Sequence, residues 1–394
     1  MKVLLLHNRY RVPGGEDAAV QLECSLLRSA GLAVDLLEVN NDGIDSAAQK
    51  IKAALLTPYS FPARQLVADR IRDFQPDIVH VHNFFPTLSP SVYDACRSAR
   101  VPVVQTLHNY RLMCANALLF REGKVCTKCL GSTFPLPAIR HACYRGSRVG
   151  SAAVAALIGI HRIRGTWTSR VNRFIALTGF ARDLFASEMY IPNDQIVVKP
   201  NAAPDPCIGD GSGGYALYIG RFSSEKGIET VLDAARNGGL RIPLKIAGSG
   251  PLQSNVEAAL IPGKVELLGW QDRDGVRRLM QKARVLLIPS LCYEGLPMVI
   301  PEAFGTGLPI IASRIGSLQT LIEDGSNGLL VEPGNPTALA QAVRRIAADS
   351  GFESGLRINA RQTYENLYRA EANTSLLLQI YEQARRDAAQ NSLH

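Results

Sequence analysis

No run in this chain is long and apolar enough to cross a bilayer. The longest weakly polar stretch, residues 149–160, falls well short of the roughly 20 apolar residues a spanning helix requires. The opening Met1-Lys2-Val3-Leu4-Leu5-Leu6-His7 has no small-residue cleavage site and runs straight into Asn8, Arg9 and Arg11. It therefore reads as a first β-strand and not as a secretory leader. The expected location is the cytoplasm, where the eight cysteines stay reduced or hold metal instead of pairing. Acidic residues are missing between residues 123 and 182, a window that carries ten Lys and Arg. That window is worth +10 and leaves the rest of a +8 chain at −2. The basicity belongs to one region and calls for an acidic partner: phosphate, anionic lipid or nucleic acid. Aromatics make up only 7% of the chain and are not interleaved with those cations, which speaks against the last of these. No Ser-His-Asp set is apparent.

What is present is an ordinary globular composition, 46% apolar and 20% charged, over 394 residues. That length suits two cores of about 200 residues each. Short apolar runs alternate with helix-length segments almost throughout, the pattern of doubly wound α/β domains. Strands are expected at residues 3–7, 34–39, 78–82, 103–107, 174–177 and 196–199, then at 217–219, 244–247, 265–268, 285–289, 310–312 and 329–331. The loop-only composition of residues 202–214 separates the two sets. This predicts an N-terminal domain over 1–201, a C-terminal domain over 215–366, and a final helix over 367–394 that returns to the first domain.

The most specific segment is Tyr293-Glu294-Gly295-Leu296-Pro297-Met298-Val299-Ile300-Pro301-Glu302-Ala303. It lies between two apolar runs that read as buried parallel strands, so it forms a loop and a short helix. Both carboxylates then sit at the carboxyl end of a strand, the edge of an open α/β sheet where ligands bind. Upstream, Gly220-Arg221 and Lys226-Gly227 place a guanidinium and an ammonium just past another strand, leading into a helix from Ile228. A diphosphate leaving group needs positive charge most as its bond to the sugar breaks, and Arg with Lys supplies it without a metal. The Glu294-x7-Glu302 spacing and the Gly-Arg…Lys-Gly pattern resemble the donor site of the retaining nucleotide-sugar transferases, glycosyltransferase family 4. The resemblance extends along essentially the whole chain and is strongest over residues 215–333.

The resemblance implies an α/β, GT-B fold: two doubly wound Rossmann-like domains facing each other across a cleft. The first would bind the acceptor and the second the nucleotide-sugar. Glu302 would hold the ribose hydroxyls and Glu294 a sugar hydroxyl, with the backbone N–H groups of Gly295 and Leu296 reaching sugar and phosphate. Gly220, Gly248, Gly250 and Gly269 close strands of the second domain, where glycine lets the backbone approach a ligand. Trp270 either contacts the base or caps the core. In the first domain, Pro13-Gly14-Gly15-Glu16 resembles the family's glycine loop, in which Gly14 and Gly15 approach the donor phosphates. His108 matches its active-site histidine, and Asn201 its Pro-Asn at the hinge. His80 and His82, two apart on one strand face, either line the cleft or pack beneath it. Retention by front-face departure and attack is implied, with no catalytic metal. Asp272-Arg273-Asp274 opens a helix and reads as a cap instead of a metal pair.

Cys114-x11-Cys126-x2-Cys129-x13-Cys143, in an insertion over about residues 110–145, has finger-like spacing. Four thiolates suit a structural Zn²⁺ and leave no open position for catalysis. Spacing alone also admits an iron–sulfur cluster. Cys24, Cys96, Cys207 and Cys292 show no such grouping. Residues 149–160, edged by Arg145, Arg148, Arg162, Arg164 and Trp167, fit either an interfacial helix or an ordinary packed one.

Together these features lead to a retaining glycosyltransferase that moves sugar from a nucleoside-diphosphate-sugar to a polyprenyl-diphosphate-linked or other saccharide acceptor. The expected setting is surface polysaccharide assembly (O-antigen, capsule or exopolysaccharide), peripheral at the inner face of the cell membrane on anionic lipid. Two competitors are weighed. A nucleotide-sugar epimerase of the same fold should lack the paired glutamates and the Gly-Arg…Lys pattern. A zinc-containing nucleic-acid-binding protein leaves the second domain unexplained.

Overall fold

Continuous apolar runs become parallel strands buried on both faces, and the helices between them supply the cover. The computed structural model describes residues 1–11, 14–236 and 239–391. Pro13 of the glycine loop and the last three residues of the expected final helix lie outside that set. The chain divides into two units. The first comprises Met1–Leu119, Cys126–Pro200 and the chain from Glu371 onward, the second Phe120–Val125 and Asn201–Ala370.

In the first unit, Lys2–Asn8, Ala33–Val39, Ile78–Asn83, Val103–Leu107, Arg173–Ala176 and Ile196–Val198 form one parallel sheet in the order 2-1-3-4-5-6. In the second, Ala216–Ile219, Leu244–Ala247, Val265–Gly269, Val285–Ile288, Ile310–Ser313 and Gly328–Val331 form another, in the Rossmann order 3-2-1-4-5-6. Each order reverses once, between strands 1 and 3 in the first sheet and between strands 1 and 4 in the second. Connections leave such neighbours in opposite directions and open a crevice at their carboxyl ends.

The final helix differs from the expected single segment. One helix ends at Leu367 (Ser350–Leu367) and another begins at Ala370 (Ala370–Asn391). The Tyr368 carbonyl is drawn out of helical pairing to accept the Ala203 N–H at 3.0 Å, which interrupts the helix there. The later helix then buries Leu377, Ile380, Tyr381 and Ala384, a 3–4 spaced stripe, against Val3, Leu5, Ile78, Val104 and Ile175 of the first sheet. Each large side chain in that stripe contributes about 1.5–3 kcal/mol. Arg173 forks onto Asp387 of the same helix at 2.5 and 3.0 Å.

Residues 149–160 fall in the helix Arg148–Ile163, which buries Val154, Leu157, Ile158 and His161 on one face. It packs on that face and leaves Val149, Ile160 and Ile163 exposed. The cysteine-bearing segment contains an unanticipated hairpin, Phe120–Arg121 with Lys124–Val125. Its two-residue turn, Glu122-Gly123, is left-handed at both positions (φ 52° and 75°), as a tight hairpin demands.

Candidate active site

At the crevice of the second unit, the chain leaves strand Ala216–Ile219 through Gly220 and Arg221, makes a 3-10 turn over Ser224–Lys226, and enters the helix Ile228–Arg236. Gly227 (φ +67°) is indispensable to that turn: a Cβ there would sit 1.9 Å from the Pro289 carbonyl oxygen. The close crossing brings the turn against the loop after strand Val285–Ile288. Lys226 Nζ donates to both oxygens of Glu294 at 2.8 Å, and Ser290 Oγ donates to Glu294 Oε1 at 2.6 Å. Leu291 N–H donates to the Glu225 carbonyl at 2.9 Å and ties the two loops together. Glu294 is buried, whereas the Lys226 side chain keeps 32% of its surface exposed. Burial lowers the Lys226 ammonium, but the charge and hydrogen bonds of Glu294, with Cys292 and Glu225, together outweigh it and hold the group above its ordinary value. Two residues singled out separately in the sequence are therefore one ion pair with an open side.

The other residues singled out in this unit are more dispersed. Arg221 is exposed and makes no ion pair among the described residues. Glu302 is the fourth residue of the helix Val299–Gly305, and burial pushes its carboxyl up to about 7, with Arg273 opposing. Pro301 falls in the first turn, where its missing N–H costs little. Gly295 and Leu296 lie in the loop before that helix, with Leu296 buried. Gly248 and Gly250 lie tight against the loop that leaves the first strand of this unit. A Cβ on the first would lie 2.0 Å from the Gly220 oxygen, and one on the second 2.6 Å from the Phe222 nitrogen. Their close approach is to their own chain, and it seats the 220–222 loop. Gly269 ends its strand, and Trp270 beyond it is 74% exposed, which excludes the core-capping alternative. Asp272 caps its helix, accepting the Gly275 N–H at 2.7 Å.

The crevice of the first unit is lined differently. Gly14 caps the helix Gly15–Ser29, and its N–H donates to Asp17 Oδ2 at 2.8 Å. Asp17 Oδ1 lies 2.8 Å from His7 Nε2, so the glycine loop is clamped to the first strand. Glu16, which ends the glycine-loop pattern but had no role assigned to it, accepts from Tyr10 Oη at 3.1 Å and from Asn109 Nδ2 at 3.3 Å. Burial pushes its carboxyl up to about 7, and its Oε1 is buried with no hydrogen-bond partner. His108 follows strand Val103–Leu107, half-buried, with Nε2 3.0 Å from His82 Nδ1. His80 and His82 are buried, so both pack beneath the crevice. His80 is 2.7 Å from Tyr381 Oη and 2.7 Å from Thr106 Oγ1. Glu23, from the first helix, reaches both histidines and also Lys199 Nζ. Glu23, His80 and His82 are the one group among the described residues whose ligand atoms all lie within metal-sharing distance. The Lys199 ammonium, 3.0 Å from the same carboxylate, supplies the positive charge a cation would bring. Asn201 is buried at the start of the second unit.

Cys114, Cys126, Cys129 and Cys143 form no disulfide, and Cys114, Cys126 and Cys143 stand close enough to Cys129 to act on its charge. Burial, then Cys114, pushes the Cys129 thiol up to about 11, with Cys143 and Cys126 adding to the rise. No three of the sulfurs come within 4.8 Å of one another, a wider spread than a closed tetrahedral site.

The basic window is less bare than its sequence suggests. Arg164 and Arg170 pair with Asp94, Arg173 with Asp387 and Arg182 with Asp183. Arg162 donates to the Ser132 and Glu188 carbonyls. Acids from outside the window fold onto it, leaving Lys124, Lys128, Arg140, Arg145 and Arg148 exposed. No helix among the described residues is long and apolar enough to cross a membrane.

Residues 14–202 match the Glycosyl transferase 4-like domain, and residues 213–349 match Glycosyl transferases group 1. Among curated relatives, the lipopolysaccharide core biosynthesis glycosyltransferase LpsE of Rhizobium meliloti is 30% identical over 42% of this chain and 48% of its own length. The phosphatidyl-myo-inositol mannosyltransferase of Mycobacterium leprae is 24% identical over 85% of this chain and 84% of its own. The chain spans 60%, 40% and 48% of the length of the first curated relatives it matches. Among solved structures, Anabaena Alr3699/HepE in complex with UDP superposes with a TM-score of 0.68, at 16% identity, over 96% of this chain and 99% of that one. At that identity the likeness is one of fold.

Proposed function

We propose that this chain, which belongs to the GT4-like glycosyltransferases of GT-B fold, moves a sugar from a nucleoside-diphosphate-sugar to a saccharide acceptor with retention of configuration and without a catalytic metal. The observation that carries this reading is the Lys226–Glu294 pair at the crevice of the second unit. Its half-buried lysine, with Arg221 nearby in sequence, would take up charge on the leaving diphosphate, and the paired carboxylate would hold a sugar hydroxyl. Glu302 would accept the ribose hydroxyls, and Trp270, exposed past Gly269, would cover the base. UDP in the Anabaena structure supports a nucleotide donor.

Glu302 makes the reading testable through pH. Its carboxyl is raised to about 7, so it is protonated below that pH and ionised above. For folding, a raised carboxyl contributes stability at low pH that is lost as pH rises through about 7. For the donor the sign is opposite, because an ionised carboxylate is the better acceptor for ribose hydroxyls. Hydrogen bonds to a charged group contribute about 1.5–3 kcal/mol, so affinity should rise tenfold or more between pH 5.5 and 8.5. Calorimetry with UDP-, GDP- and ADP-glucose should show this rise for one donor in the native chain and a flat profile in Glu302→Gln. A flat native profile removes Glu302 from the ribose, and no binding by any of the three rejects the donor reading.

The acceptor side is assigned to the first unit, through His108 and the Gly14–Gly15 loop, with Asn201 at the link. Relatives named for lipopolysaccharide core and for phosphatidyl-myo-inositol support a lipid-linked acceptor in surface glycan assembly. A peripheral site at the inner membrane face follows from exposed apolar and basic side chains on neighbouring helices. The helix Ala47–Leu56 buries none of its residues fully and exposes Ile51 and Leu55 beside Lys50 and Lys52. It packs on Arg148–Ile163, which exposes Val149 and Ile163 beside Arg148. Cations near an anionic leaflet contribute on the order of 1 kcal/mol each. Cosedimentation with phosphatidylglycerol vesicles is expected, with none on phosphatidylcholine and release at high salt. Arg140, Arg145 and Arg148 changed together to Gln should abolish it; binding that survives both treatments would reject the electrostatic account. A structural Zn²⁺ on Cys114, Cys126, Cys129 and Cys143 completes the reading.

A further inference from the structure

A chain of buried polar groups runs from the first helix to the edge of the crevice in the first unit. Lys199 Nζ donates to Glu23 Oε2 at 3.0 Å, which orients the carboxylate and leaves Oε1 facing the histidines. Oε1 lies 3.2 Å from His82 Nε2. Both atoms are buried, and the same Oε1 lies 3.1 Å from His80 Nδ1, which also faces Tyr381 Oη at 2.7 Å. On the far side of the ring, His82 Nδ1 lies 3.0 Å from His108 Nε2. His108 Nδ1 makes no hydrogen bond among the described residues.

The protons in this chain can be assigned by elimination. A carboxylate is an acceptor only, and Lys199 with the two histidines holds Glu23 well below its ordinary value despite burial. Burial pushes His82 down to about 3 and lowers His108 as well, so each ring carries one proton. Were the His82 proton on Nδ1, the bare Nε2 lone pair would face the Glu23 anion in a dry site. It is therefore on Nε2, and Nδ1 is an acceptor. The short contact to His108 then requires His108 to donate from Nε2, which leaves its Nδ1 bare.

We infer that Glu23 and His82 are positioning residues: together they fix His108 in the Nε2–H form, so that its Nδ1 presents a hydrogen-bond acceptor to a substrate hydroxyl. The last step rests on the reading of His108 as a sugar or acceptor contact; the proton assignment does not. Glu23→Gln gives the sharpest test, because it is isosteric and Lys199 still dictates its orientation. The amide oxygen must face the ammonium, so the amide NH₂ takes the place of Oε1 and donates to His82 Nε2. His82 then donates from Nδ1, and His108 must carry its proton on Nδ1. One substitution two residues away along the chain of contacts inverts the tautomer.

Long-range ¹⁵N–¹H correlation on ¹⁵N-histidine-labelled protein reads this directly, with His108 assigned among the seven histidines by its loss in His108→Gln. The native protein should show a bare-type Nδ1 and a protonated-type Nε2 at His108, and Glu23→Gln should exchange them. A protonated Nδ1 in the native protein overturns the relay even if Glu23→Gln fails to fold, and a folded Glu23→Gln with the native pattern also overturns it. In turnover, Glu23→Gln should lower kcat/KM roughly fivefold to tenfold, the worth of about one hydrogen bond, and should cost nothing further in a His108→Ala background. A full additional loss in that background means that Glu23 acts by another route. If His108→Ala itself is fully active, the substrate-contact reading fails while the tautomer result stands.

Discussion

Lys226→Ala is expected to lower turnover about a hundredfold or more. In the proposed function the ammonium is one of two groups that meet charge on the leaving diphosphate, and loss of one such donor costs about 3 kcal/mol of transition-state stabilisation. The geometry adds a second consequence. Glu294 is buried and loses the cation bonded to both of its oxygens, so the variant should also melt at a lower temperature. The two effects separate in the double variant Lys226→Ala/Glu294→Gln, in which the stranded charge is gone: stability should recover and turnover should not. Arg221→Ala supplies the converse control. Its guanidinium is exposed and makes no ion pair, so a drop of similar size in turnover should come with an unchanged melting temperature. Steady-state kinetics beside thermal melts checks all three, and near-native turnover in Lys226→Ala removes the pair from the reaction.

Purified protein is expected to contain about one zinc per chain, and chelation should lower its melting temperature by about 10 °C. Residues 110–145 contain little to hold them together: one two-residue hairpin, the five-residue helix Leu136–Arg140, and turns. Five non-glycine residues of the segment, Ala117, Leu119, Glu122, Ala142 and Arg145, have left-handed backbone. A segment of this kind needs a cross-link to hold one shape. The cysteines form no disulfide and so supply none, and Cys129 is raised to about 11 by burial first and by its neighbouring cysteines second. Zinc would deprotonate them and draw the sulfurs closer than they stand here. At a thousandfold excess over its dissociation constant it stabilises by about 4 kcal/mol, and in a unit this size each kcal/mol moves the midpoint by about 2–4 °C. Elemental analysis decides the metal. No zinc, together with an unchanged melting temperature in Cys126→Ser, rejects the site, and an iron-dominated result replaces it with a cluster.

The strands were legible because a parallel strand covered on both faces is a continuous apolar run. Val285-Leu286-Leu287-Ile288 is buried throughout, and the runs at 3–7 and 310–312 read the same way. The helix break before Ala370 was not legible, since its cause is a carbonyl bonded to Ala203, more than 160 residues earlier. The basic window misled for a related reason: Asp94 and Asp387, which neutralise part of it, lie far away in sequence.

By itself the sequence determined where the candidate residues of the second unit fall relative to its strands. Gly220, Arg221, Lys226 and Glu294 lie in the stretches that follow strands and Glu302 in the short helix after one, and those strand positions follow from local periodicity. Only the tertiary structure decided which of them meet. Lys226 and Glu294 are 68 positions apart, and they pair because Gly227 lets one loop cross over Pro289. Likewise, nothing in local pattern joins Glu23 to Lys199, His82 or His108. His82 and His108 stood out only singly and Glu23 and Lys199 not at all, and the buried relay exists because the order of the first sheet brings their elements together. Backbone propensity is read over a few residues, whereas a proton's position is set by every group that faces it.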